Sequence, residues 1–136
     1  MEPERKDIRW KQRFQNFEKS FFLLERTLAI KAPSEAEKGG LIQFYEMAFE
    51  LAWKLMKDYL EEQGFTINSP RSAIKQAFQS ALIEDGQQWL DALEGRNLMA
   101  HIYDESTAEK VVTAIRNTYF PILSQFYYRM KKESGQ

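Results

Sequence analysis

The chain has 136 residues, of which 43% are hydrophobic and 14% aromatic, enough for one domain, 1–136, with a substantial core. It has 19 Lys+Arg against 20 Asp+Glu, for a net charge of -1, so no global field draws in nucleic acid and any RNA contact must be local. The lack of cysteine removes disulfides, thiol catalysis and thiolate metal sites, and a single histidine rules out a multi-histidine metal centre within one chain.

From about Arg5 to Lys31, Trp10, Phe14, Phe17, Phe21, Leu24 and Leu28 recur at steps of four and three, which predicts a long amphipathic helix. The charged opening Met1-Glu2-Pro3-Glu4-Arg5-Lys6 and the want of a long apolar run predict a soluble, cytoplasmic protein with no membrane segment. Ala32-Pro33 ends that helix, and Ser34 with Glu37 forms a capping box that opens a second one, reaching about Gln63. Two apolar series run along it, one through Leu41, Phe44, Ala48, Leu51, Leu55 and Tyr59, the other through Ile42, Phe49, Trp53, Met56 and Leu60. The polar strip left over is narrow, so this helix is expected to lie either at the centre of the fold or in a dimer interface.

Gly64 fits a helix C-cap, and Asn68-Ser69-Pro70 starts a short helix through about Ser80. Glu84-Asp85-Gly86 breaks the chain, and a fourth helix is predicted from Gln87 to Met99 or His101, with Trp89, Leu93 and Ala100 inward. Ser106 and Glu109 repeat the capping-box pattern, and Val112, Ile115, Tyr119, Ile122 and Phe126 carry a helical rhythm to the C-terminus. Pro121 inside that run predicts a kink near Asn117. No strand alternation of convincing length appears, so the expected fold is all-α: an antiparallel four-helix up-and-down bundle with a short additional helix.

The chemistry concentrates in Arg96-Asn97-Leu98-Met99-Ala100-His101-Ile102-Tyr103-Asp104. Histidine transfers protons near neutrality and arginine offers a planar, permanently charged fork suited to phosphate, which together suggest a phosphodiester or nucleotide. Positions five apart on an ideal helix lie about 140° apart around the axis, so Arg96 and His101 would not share a face. If they cooperate, either the helix ends between them or the site is composite, with the two residues drawn from different subunits. Asn97 lies one turn beneath His101 and can orient the imidazole; alternatively Asn97 and Asp104 satisfy backbone groups at a helix end. Glu46, Glu50, Lys54 and Asp58 step by four along the second helix; Glu50 and Lys54 form either a polar binding face or a surface ion pair, and no full metal-ligand set is present.

The string from Arg96 to Tyr103 resembles the Arg, four spacers, His, one spacer, Tyr motif of HEPN proteins, in the branch called HepT or nucleotidyltransferase substrate-binding protein-like. Trp10 to Phe17 resembles that family's opening helix, and Gly40 to Glu46 with Phe49 to Asp58 resembles its second, so the likeness spans nearly the whole chain. The resemblance implies a helical bundle, usually dimeric, that works beside a minimal nucleotidyltransferase of the MNT type in a toxin-antitoxin pair. It further implies metal-independent endoribonuclease activity with no cofactor, Arg96 and His101 as the catalytic pair, and Tyr103 as an acceptor of AMP. The alternative reading is a non-catalytic adaptor that presents a nucleotide or another substrate to the transferase.

Overall fold

The computed structural model describes residues 2–99 and 104–135, without the side chains of 2–7, 97, 98 and 105. Its elements are α1 (Glu2–Leu28), α2 (Glu35–Glu62), α3 (Pro70–Gln79), α4 (Gly86–Met99), α5 (Glu105–Ala114), a π-helical turn (Ile115–Tyr119) and α6 (Phe120–Glu133). The described residues contain no strand, and the expected all-α bundle is what forms: α1, α2, α4 and the α5–α6 run are its long members, with α3 as the short addition.

The stripe on α1 is buried throughout, with Trp10, Phe14, Phe17, Phe21, Leu24 and Leu28 all inside the core. A short turn returns the chain antiparallel into α2, whose start is fixed by reciprocal hydrogen bonds: Glu37 N–H donates to Ser34 Oγ (3.1 Å) and Ser34 N–H to Glu37 Oε1 (2.8 Å). α2 is the hub of the fold, packing against α1, α3, α4, α5 and α6, so its apolar series serve a central position. Its one buried charge, Asp58, lies against α1 and accepts a hydrogen bond from Arg13 Nε at 2.9 Å. α2 closes at Gln63, after which Gly64 turns with φ +101°, a conformation open to glycine at little cost.

Two expectations need correction. The cap of α5 is Asp104, not Ser106: its carboxylate accepts from Thr107 N–H (2.8 Å) and Thr107 Oγ1 (3.0 Å), while Glu109 reaches across to Lys38 instead of back to a cap. The C-terminal run is also not one kinked α-helix. Pro121 has no N–H to give to Asn117, and the chain answers with a π turn in which Phe120 N–H donates to Ile115 O, five residues back. Among the described residues no helix is long and apolar enough to cross a membrane.

Candidate functional site

Arg96 lies in the last turn of α4, and its position follows from what surrounds that turn. Its Nη1 donates to Glu50 Oε1 on α2, and its guanidinium carbon sits 5.8 Å from the centroid of the Phe49 ring. Glu50 is itself fixed, because its other oxygen accepts from the Trp53 indole N–H at 2.9 Å and lies 3.7 Å from Lys54 Nζ. The Glu50–Lys54 pair is thus a helix-surface ion pair, and the stronger partner of Glu50 is a cation 46 positions along the chain.

A second set of contacts positions the α4 backbone. Tyr45, buried on α2, donates from its hydroxyl to Ala92 O at 3.4 Å and stacks on Tyr119 of the π turn, with centroids 5.5 Å apart at 23°. The Tyr119 hydroxyl in turn presses on Gly95: a Cβ at that position would stand 2.8 Å from it, closer than real Cβ contacts come. A larger residue at Gly95 would have to displace the Tyr119 hydroxyl, and α4 packs onto the π turn directly before Arg96. Burial, reinforced by Tyr119 and opposed by Arg96, pushes the Tyr45 hydroxyl well above 10; burial and then Asp91 raise that of Tyr119. Both remain neutral phenols at ordinary pH, suited to packing and hydrogen bonding rather than to proton transfer.

Arg96 opens onto a shallow depression of ≈ 540 Å³ lined by Gln43, Glu46, Met47, Glu50 and Leu51, with Met47 largely exposed. Beyond Met99 the sequence continues to His101 and Tyr103, which lie outside the described residues, as does the Asn97 side chain. The chain is described again from Asp104, whose carboxylate is held low first by the Thr107 backbone N–H and then by the Thr107 hydroxyl. Asp104 is therefore a cap, the structural alternative among the roles open to it. Tyr45, Tyr119 and Gly95 did not stand out as site residues in the sequence; the only local signal was a tyrosine in the helical rhythm two residues before a proline.

A family model described as nucleotidyltransferase substrate binding protein like matches residues 12–132. The chain is 28% identical over 102 residues to a Haemophilus influenzae protein described as a probable ribonuclease HepT, an alignment spanning 71% of this chain and 68% of that one. A crystal structure from Thermus thermophilus is similar with a TM-score of 0.78 and 28% identity, covering 85% of this chain and 98% of that one. A Haemophilus influenzae structure, described as the fold of a substrate binding domain of a nucleotidyltransferase, matches in fold with a TM-score of 0.74 at 22% identity, covering 87% and 98%. With its family match running from the third turn of α1 almost to the end of α6, the chain belongs to the nucleotidyltransferase substrate-binding protein-like family.

Proposed function

We propose that the protein is a metal-independent endoribonuclease that acts as a homodimer and is paired with a minimal nucleotidyltransferase of the MNT type, as toxin and antitoxin. The observation that carries this reading is the fixed guanidinium of Arg96, held by Glu50 at the mouth of an open depression and five residues before the only histidine of the chain.

In the reaction His101 takes the proton of a ribose 2′-hydroxyl, the oxygen attacks the adjoining phosphorus, and the bond to the 5′-oxygen breaks, leaving a 2′,3′-cyclic phosphate and a 5′-hydroxyl end. Arg96 stabilises the charge that accumulates on the phosphorane oxygens, a role for a preorganised cation. Glu50 serves it by holding one guanidinium nitrogen, with Phe49 beneath and Trp53 fixing the carboxylate. One chain supplies one histidine, so the acid that protonates the leaving oxygen is His101 of a second copy, or a water or Tyr103 in its place.

Tyr103 is the proposed point of control. Its hydroxyl attacks the α-phosphate of ATP held by the transferase, pyrophosphate leaves, and the tyrosyl-AMP places an anionic group beside His101 and Arg96, occupying the site. Mass spectrometry after incubation with the transferase and ATP tests this step: a gain of one AMP that is absent from Tyr103→Phe supports it, and the same gain in that variant removes it.

The central test is cleavage of mixed RNA by the partner-free protein in EDTA, beside folded His101→Ala and Arg96→Ala controls. Cleavage that falls by roughly 10²–10⁴-fold in each variant supports the reading. No cleavage by the unaltered protein moves the function to a non-catalytic adaptor that presents a nucleotide to the transferase.

A further inference from the structure

The overall charge of -1 leaves RNA affinity to local features, and the Arg96 depression is a poor phosphate surface beyond Arg96 itself, because Glu46 and Glu50 line it. The cations that could hold a strand gather elsewhere. A cup of ≈ 390 Å³ lies between the α1–α2 turn, the start of α2, the outer face of α5 and the π turn, lined by Lys31, Lys38 and Arg116 with Ala32, Pro33, Val112, Thr113 and a single carboxylate, Glu109.

The three cations come from three different elements, which is what makes the cup more than one charged helix face. Arg116 is anchored: its Nη1 donates to Leu28 O at the end of α1 (2.6 Å), which fixes the guanidinium against the turn. Among the described residues no carboxylate comes within ion-pair distance of Arg116 or of exposed Lys31. Lys38 is mostly shielded from solvent and bonded to Glu109, whose own side chain is 59% exposed. The π turn ties this cup to the site, since it sends Arg116 into the cup and Tyr119 onto Gly95 beside Arg96.

We propose that this cup binds a backbone phosphate of the RNA strand, flanking the phosphate handled by Arg96. The inference rests on the ribonuclease reading for its choice of RNA as the source of the phosphate. Lys38 and Glu50, the α2 residues that mark the two places, are twelve positions apart, about 18 Å along the axis and about 120° around it. A dinucleotide cannot span that distance and a longer single strand can. The same cations would also suit the phosphates of a free nucleotide, so the two sources need separate probes.

The test is fluorescence anisotropy with fully 2′-O-methylated, non-cleavable oligoribonucleotides, one dinucleotide and one several times longer, using the unaltered protein and Lys31→Ala/Arg116→Ala. Both positions are exposed, and circular dichroism verifies that the variant is folded. The expected result is a loss of about tenfold in affinity for the long strand only. Its log affinity against log salt flattens by about 0.7 for each phosphate that the variant no longer neutralises. Equal affinities and equal salt slopes overturn the proposal, as does a long strand that fails to bind the unaltered protein. An ADP affinity that falls in the variant while RNA affinity does not assigns the cup to a nucleotide and overturns the RNA source. Because the probes cannot be cleaved, the outcome is independent of catalysis: a salt slope that flattens in a protein inactive on ordinary RNA sinks the ribonuclease reading alone, whereas an intact slope beside His101-dependent cleavage sinks the cup alone.

Discussion

Two aromatic seams run through this bundle and serve different ends. Between α1 and α6, Phe21 stacks on Phe120 (5.1 Å, 8°) and on Tyr127 (4.6 Å, 12°), with Phe14, Phe17 and Phe126 beside them, almost all out of solvent. Between α2, α4 and the π turn, aromatic rings also pack together, with centroids 5.5–5.9 Å apart, yet they keep company with polar groups that converge on one residue. Tyr45 bonds the α4 backbone, Tyr119 presses on Gly95, the Trp53 indole fixes Glu50, and Phe49 lies beneath the Arg96 guanidinium. The first seam contributes apolar burial; the second spends part of its packing on aiming a charge. Stability and the proposed RNA cleavage should therefore separate when each is cut.

The largest effects should come from crossing the two. Phe21→Ala removes a fully buried ring and is expected to lower stability by about 3–5 kcal/mol, with cleavage per folded molecule unchanged. Gly95→Ala should behave the opposite way. The added methyl meets the Tyr119 hydroxyl, overpacking costs about 1–3 kcal/mol, and a shift of Arg96 on the order of an ångström lowers turnover by roughly 10²-fold. Tyr119→Phe deletes the oxygen at 2.8 Å and leaves ring carbons at 3.3 Å, so the double variant should regain much of both losses. Melting temperatures and single-turnover rates of the four proteins check this; a Gly95→Ala protein with full turnover would show that the second seam positions nothing.

A smaller separation is expected in pH dependence, again at an aromatic hydroxyl with a polar partner. Tyr59 on α2 donates to Glu133 Oε1 (3.0 Å), and burial followed by that hydrogen bond raises the phenol to about 12. A folded value above the unfolded one, near 10, means that its contribution is complete below pH 10 and is lost progressively as the pH rises towards 12. At the acid end, Glu133 is opposed by its burial, but hydrogen bonds from Arg129 and Tyr59 hold its carboxyl below the usual value, so its contribution is lost as pH falls through that lowered value. Tyr59→Phe should flatten alkaline unfolding measured by denaturant midpoint between about pH 9 and 12 and lower stability at neutral pH, where the contribution is complete, by about 0.5–1.5 kcal/mol. An unchanged alkaline slope would mean that the pair does not form in solution.

The contrast between the seams also marks what could be read from the residues. The α1 stripe was legible because burial on one side of a long helix imposes a 3.6-residue rhythm that needs no partner to be visible. Glu50 was legible only as a neighbour of Lys54, four positions on; its bond to Arg96 depends on how α4 packs on α2, and no local spacing encodes that. The π turn escaped because helical periodicity assumes one bond pattern throughout, whereas Pro121 withdraws a donor and shifts the register by one residue. Both Ser106 and Asp104 have side chains that can cap, and Asp104 prevails because its carboxylate takes two hydrogen bonds from Thr107 while Glu109 is claimed by Lys38.

The smallest predicted effect lies away from both seams and tests whether the bundle carries local strain unrelated to its site. After α3, Ala81 turns with φ 59°, in the left-handed region where a Cβ crowds the following carbonyl. The turn is held from several sides: Leu82 N–H returns to Ala77 O at 2.8 Å, and Arg129 of α6 donates to Ala81 O at 2.7 Å. Those bonds, together with burial of Leu82 and Ile83, keep alanine in a conformation that glycine adopts freely. Ala81→Gly relieves the crowding but widens the choices of the unfolded chain, so the net gain should be modest, about 0.5–1 kcal/mol, with turnover unaltered. A midpoint that falls instead would show that the entropy of the unfolded glycine outweighs the relief, and that the Arg129 bond already holds this turn at little strain.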